Sequence, residues 1–119
     1  MAFAVSAFLK LFLFDFIIAD GISMEPSIRD GSLLVVNRLQ YGFRVPGRSE
    51  YLIRWSVPQV GDIVIFYTPS GNIAVKRSKG PTENGKFVVR GDNSLRSFDS
   101  RSYGPIPADN IIGRVIGIR

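Results

Sequence analysis

The chain has 119 residues, contains neither cysteine nor histidine, and carries a net charge of +5 with a pI of about 10.0. Without cysteine there are no disulfides, thiolate nucleophiles or cysteine-held metal sites, and without histidine there is no Ser–His–Asp triad and no zinc site of the usual kind. Any general base must be a carboxylate, a lysine, a tyrosine or a terminal amine, and the cationic excess favours an anionic partner such as nucleic acid or a membrane surface.

The length suits one domain with a modest core, and 45% apolar and 21% charged residues are ordinary globular values. The first stretch, MAFAVSAFLKLFLFDFIIA, is interrupted only by Ser6, Lys10 and Asp15. A membrane-spanning helix needs about 20 apolar residues, and a lysine at its centre costs about 2.5–3.5 kcal/mol. Residues 1–10 are therefore read as a short apolar helix, a membrane anchor or an interfacial segment. A removable signal peptide and a buried core element are the alternatives. From residue 11 to 119 the text reads as one β domain. Strands are predicted over 33–37, 51–55, 62–68, 72–77, 86–90 and 111–118, each rich in β-branched and aromatic residues and bounded by Gly, Pro, Asn and Asp turns. The fold class is all-β, antiparallel, a set of coiled sheets or a partly open barrel. Residues 38–58, with Arg38, Arg44, Arg48 and Arg54 among Tyr41, Phe43, Tyr51 and Trp55, read as a long loop or extension holding one strand.

Three stretches carry candidate chemistry. GISMEPSIRDG, residues 21–31, puts Ser23 on a Gly/Pro-framed corner straight after the apolar run. A serine hydroxyl needs a partner to take its proton. Lys76, in NIAVKR, shares a strand face with Ala74, and burial there favours its neutral amine, with Arg77 as a nearby cation that adds to the effect. The bland alternative is a strand lysine whose ammonium reaches water. Third, VRGDNSLRSFDSRSYGPIP, residues 89–107, gathers serines, aspartates and arginines. On an extended backbone Ser97, Asp99 and Arg101 share a face, and Asp99 and Arg101 can form a carboxylate–guanidinium fork. A polar turn satisfying its own backbone is the plain reading.

Together these stretches resemble the type I signal peptidases, the Ser–Lys serine endopeptidases. SMEPSI (23–28) resembles the family's nucleophile box, GDIVIFYTP (61–69) its third box, VKR (75–77) the box of the lysine base, and GDNSLRSFDSRSYGPIP (91–107) its G-D-N…S-x-D-S-R box. The four occur in the family's order, and the last is the most specific. The resemblance implies Ser23 as nucleophile and Lys76 as general base, with Ser97 orienting the amine. It further implies a salt-bridged scaffold of Asp99, Arg101 and Arg77, and a turn shaped by Gly91, Asp92 and Asn93. The oxyanion hole would use the Ser23 backbone N–H. Where some members have a second serine, this chain has Gly21, whose backbone is the remaining candidate. Ile17, Ala19, Met24 and Val75 match the walls of the substrate pocket. Only 13 residues separate Arg77 from Gly91, so the family's large insertion is missing.

The resemblance implies a monomeric enzyme of the bacterial cytoplasmic membrane, its catalytic domain on the extracytoplasmic side. It would need neither metal nor cofactor and would meet membrane lipid and the signal-peptide region of preproteins, cutting after small residues of the A-x-A kind. Two rivals remain. A self-cleaving repressor-type or specialised maturation protease shares the Ser-Met and Val-Lys-Arg signals, but the chain contains no Ala-Gly or Cys-Gly dipeptide. A basic β-barrel binding single-stranded nucleic acid explains the charge but not the four boxes.

Overall fold

Alternating apolar residues and glycine-bearing turns fold the described residues into a six-stranded antiparallel sheet with a small ribbon beside it. The structure, a computed structural model, describes residues 14–44 and 50–119. Eight strands occur among them: β1 (Phe14–Ile18), β2 (Leu33–Asn37), β3 (Gly42–Phe43), β4 (Ile53–Arg54), β5 (Ile63–Tyr67), β6 (Ile73–Pro81), β7 (Phe87–Arg90) and β8 (Ile111–Ile118). Six form a sheet in the order β1-β2-β8-β5-β6-β7, and β3 pairs with β4 as a separate two-stranded ribbon. Helix is scarce; the longest piece, α1 (Ser100–Tyr103), is one turn.

The central strand β5 is buried on both faces, which explains its unbroken apolar text. Val64 and Phe66 point into a core with Tyr41, Phe87, Val89, Ile106 and Ile111. Ile65 points the other way, into a core with Met24, Ile28, Leu34, Val36 and Val115. Each such side chain contributes about 1.5–3 kcal/mol through burial. The second core matters for chemistry, because Met24 and Ile28 bring the corner that carries Ser23 down onto the sheet.

Two predicted strands, 33–37 and 111–118, occur with those bounds. Others shift. β6 runs four residues past the predicted 72–77, because Gly80 takes a φ of 105° and a bulge lies between Ser78 and Gly80. The 38–58 extension holds two short strands instead of one. β1 lies within the stretch read as one apolar run. Phe14, Phe16 and Ile18 are exposed while Asp15 and Ile17 are half-buried, a period of two hidden by apolar residues on both faces. β1 and β7 end the sheet, and no ladder joins them among the described residues, so the sheet is open. The anchor expected over 1–10 lies outside the described residues. Among the described residues no helix is long and apolar enough to cross a membrane.

Candidate active site

The corner between β1 and β2 is held at its neck and pinned at its tip. Ala19 N–H donates to Ser32 O and Gly31 N–H to Ala19 O, each at 2.8 Å, which closes the loop. Gly21 turns the chain with φ 98°, a left-handed value that favours glycine, and its N–H donates to Asp30 Oδ1 at 2.9 Å. Met24 and Ile28 are buried in the second core, leaving Ser23, the residue just before Met24, on the wall of a cleft. The last polar box holds the other side. Asn93 N–H donates to Ser23 O at 2.9 Å, and Asn93 Nδ2 donates to Ile22 O at 3.1 Å.

β6 delivers Lys76 to this cleft. Its register partner on β5 is Val64, and the residue is only 7% exposed. Nζ donates to Ser23 Oγ at 2.9 Å, across 53 residues of sequence. Burial lowers the pKa of the amine, and the negative charge of Asp99 works against that shift. The charge of Arg77 is met by a carboxylate of its own. Its Nε and Nη2 grip Asp92 at 2.9 and 2.8 Å, and Nη1 donates to Gly61 O at 2.9 Å, so this guanidinium ties β6 to neighbouring loops. The sequence-based reading of Arg77 as a cation that helps to neutralise the lysine is thereby corrected.

Asp99 is fully buried, and its carboxylate is the hub beneath the pair. Arg101 Nε and Nη2 donate to its two oxygens, both at 3.0 Å, and Gly91 N–H and Ser97 Oγ donate to Oδ2 at 2.9 and 2.8 Å. Burial pushes the carboxyl up, but Arg101, the backbone N–H groups of Gly91 and Arg101, and the Ser97 hydroxyl outweigh it. They hold Asp99 well below the usual carboxylate range. The fork forms, though not on an extended strand: Asp99 caps α1, accepting the Arg101 N–H at Oδ1. Gly91 is required by crowding. A Cβ there would lie 2.1 Å from Ser97 Oγ and 2.6 Å from Ser23 O.

The structure thus brings Ser23, Lys76, Ser97, Asp99, Arg101, Gly91 and Asn93 together, with Arg77 and Asp92 paired beside them. It departs from the sequence reading in three ways. Ser97 hydrogen-bonds Asp99, and no hydrogen bond joins it to the amine. Arg77 pairs with Asp92, apart from the Asp99–Arg101 fork. The Gly21 N–H, the candidate second oxyanion donor, is given to Asp30. Sequence reasoning missed Asp30, Ser27, whose Oγ lies 3.5 Å from Arg77 Nη2, and Ser100, whose Oγ accepts the Val89 N–H at 2.8 Å. Their only signal was a place within or beside the boxes. Ile17, Ala19, Met24 and Val75 all line a cleft of about 440 Å³ that runs past Ser23 and Lys76.

The family model described as "Signal peptidase, peptidase S26" matches residues 1–80 and 76–118. The chain belongs to the signal peptidase S26 family. Similar proteins include signal peptidase I of Bacillus caldolyticus, 26% identical over 154 aligned positions that cover 97% of this chain and 84% of the relative. Mitochondrial inner membrane protease subunit 1 of Mus musculus is 32% identical, covering 83% of this chain and 65% of the relative. Signal peptidase I of Pseudomonas aeruginosa is 32% identical over 80% of this chain and 32% of its own length. S26 members are serine peptidases, and a serine hydroxyl against a buried amine suits that class where imidazole is lacking.

Proposed function

We propose that this chain is a membrane-associated serine endopeptidase that removes signal peptides from preproteins by a Ser23–Lys76 dyad. One observation carries the reading: the buried amine of Lys76 sits 2.9 Å from Ser23 Oγ. In its neutral form that amine takes the hydroxyl proton as Oγ attacks the scissile carbonyl, and the oxyanion is met by the Ser23 N–H. The ammonium gives the proton to the departing amine, leaving an ester on Ser23. Lys76 then takes a proton from water as the water attacks the ester, and the serine is restored. Asp99, held by Arg101, Gly91 and Ser97, fixes the loop that grips the nucleophile corner.

The substrate lies extended along the cleft beside β1, a sheet-edge strand whose Asp15 and Ile17 line it. Ile17, Ala19, Met24 and Val75 leave shallow walls that admit small residues, in keeping with an A-x-A cut. The setting is a bacterial cytoplasmic membrane, with the apolar N-terminal stretch holding the site at the extracytoplasmic face. The test is to incubate the purified chain with a preprotein bearing an A-x-A site, wild type beside Ser23→Ala, and to sequence the new N-terminus. Cleavage after the A-x-A by wild type alone supports the reading; no cleavage, or equal cleavage by both, removes it.

A further inference from the structure

The β3–β4 ribbon plays no part in the cleft, yet its residues are unusual for a surface. Leu52 is 66% exposed, Ile53 58% and Trp55 55%, with Val57 and Val60 exposed just beyond. Scattered apolar residues need no explanation, but a run of them on one small element does. The ribbon is also strongly basic. Between residues 38 and 60 the sequence has four arginines, Arg38, Arg44, Arg48 and Arg54, against one acid, Glu50. Asp109 offsets one charge through its ion pair with Arg54.

The ribbon is braced rather than loose. Arg44 and Arg54 lie over the Tyr51 ring, 4.5 and 5.5 Å from its centroid, and Tyr51 Oη donates to Ile111 O. Trp55 Nε1 donates to Leu39 O at 3.1 Å, so the polar edge of the indole is satisfied while its apolar body faces out. An amphipathic ring beside arginines is the composition of a membrane–water interface layer, where Trp collects and cations meet anionic lipid.

Topology supplies the location. Phe14, where the apolar N-terminal stretch joins the sheet, pairs with Asn37 on β2. Leu39, which holds the indole, is two residues further on, at most about 7 Å of chain. We propose that the β3–β4 ribbon is a second, structured membrane contact. Leu52, Ile53 and Trp55 enter the interfacial layer of an anionic bilayer, at the end of the sheet where the apolar N-terminal stretch arrives. This rests on the reading that the chain works at a membrane, and not on the dyad.

Trp55 is the one tryptophan in the chain, so its fluorescence reports this surface alone. The full chain is mixed with vesicles of phosphatidylcholine, with or without phosphatidylglycerol, carrying brominated acyl chains. Sedimentation reads total binding in parallel. With anionic vesicles Trp55 emission moves to the blue and is quenched, less so at high salt. Leu52→Ser with Ile53→Ser weakens this response about ten-fold or more while a soluble peptide substrate is still cut at the wild-type rate. Chain that sediments with vesicles but keeps an unquenched Trp55 overturns the proposal and leaves membrane association by the N-terminal stretch standing. A blue shift on concentrating the protein without vesicles means that a second copy covers the ribbon, and also overturns it. Quenched Trp55 in a chain that cuts no peptide supports the contact and removes the peptidase reading instead.

Discussion

On the proposed mechanism Ser23, Lys76 and Asp99 decide the chemistry, and each gives a separable expectation. Ser23→Ala and Lys76→Ala should each abolish preprotein cleavage, and Lys76→Arg should be as inactive, because a guanidinium does not deprotonate. Lys76 also strains the fold it serves. Burial disfavours its charged form, so Lys76→Met should raise the melting temperature, by the equivalent of about 0.5–2 kcal/mol, while removing activity. Calorimetry on the two proteins checks this, and a lower melting point for the variant would contradict it. The pH profile follows the same group. Activity should climb with pH as the amine loses its proton, with its midpoint below that of a free lysine. The Asp99 charge opposes the lowering, so Asp99→Asn should move that limb to still lower pH and weaken the fold by freeing Arg101. This residue scale was the least legible in the sequence. Taken alone, NIAVKR reads more readily as a strand whose lysine reaches water than as one that buries a base. Lys76 meets the Ser23 hydroxyl and feels the charge of Asp99, both brought from distant parts of the chain, which no local pattern encodes.

At the scale of elements, the site is a turn, a strand and a loop clasped together. The Asn93 contacts to Ile22 and Ser23 join the nucleophile corner to the last polar box, so Asn93→Ala should reduce turnover well beyond its effect on melting temperature. A drop in stability that accounts for the whole loss of activity would make Asn93 structural. Gly91→Ala should be severe in both, since its methyl has no room between Ser97 and Ser23 O. The central strands were readable because burial on both faces leaves a short, wholly apolar run between turn formers. The same rule concealed β1: apolar on both faces and continuous with the stretch before it, Phe14–Ile18 lost its period. The Asp99–Arg101 fork is expected on an extended stretch and occurs at a helix cap, because a carboxylate and a guanidinium two residues apart can meet on either backbone. The paired guanidinium of Arg77 could be expected only to find some carboxylate, not Asp92 in particular.

Across the whole molecule the titrating groups act in one direction on the acid side. Asp99 and Asp92 have folded pKa values below their ordinary range, so their contribution is present above about pH 4 and lost as pH falls through the folded values. Lys76, lowered as well, is better tolerated the more alkaline the solution, up to about pH 10 where the unfolded lysine also loses its proton. Tyr41, Tyr51 and Tyr103 are raised by burial, so above about pH 10 the unfolded chain ionises first and the fold weakens. The melting temperature should therefore peak at mildly alkaline pH, and a maximum below pH 6 would contradict these assignments. The strand order has a different implication. Ser23 hangs from the β1–β2 half of the sheet and Lys76 from the β5–β6–β7 half, and β8 is the strand that lies between them. During synthesis a ribosome must therefore release Ile111–Ile118 before hydroxyl and amine can meet. On the proposed mechanism a half-made copy carries both groups of the dyad yet cannot cut its neighbours, a safeguard that comes from the strand order.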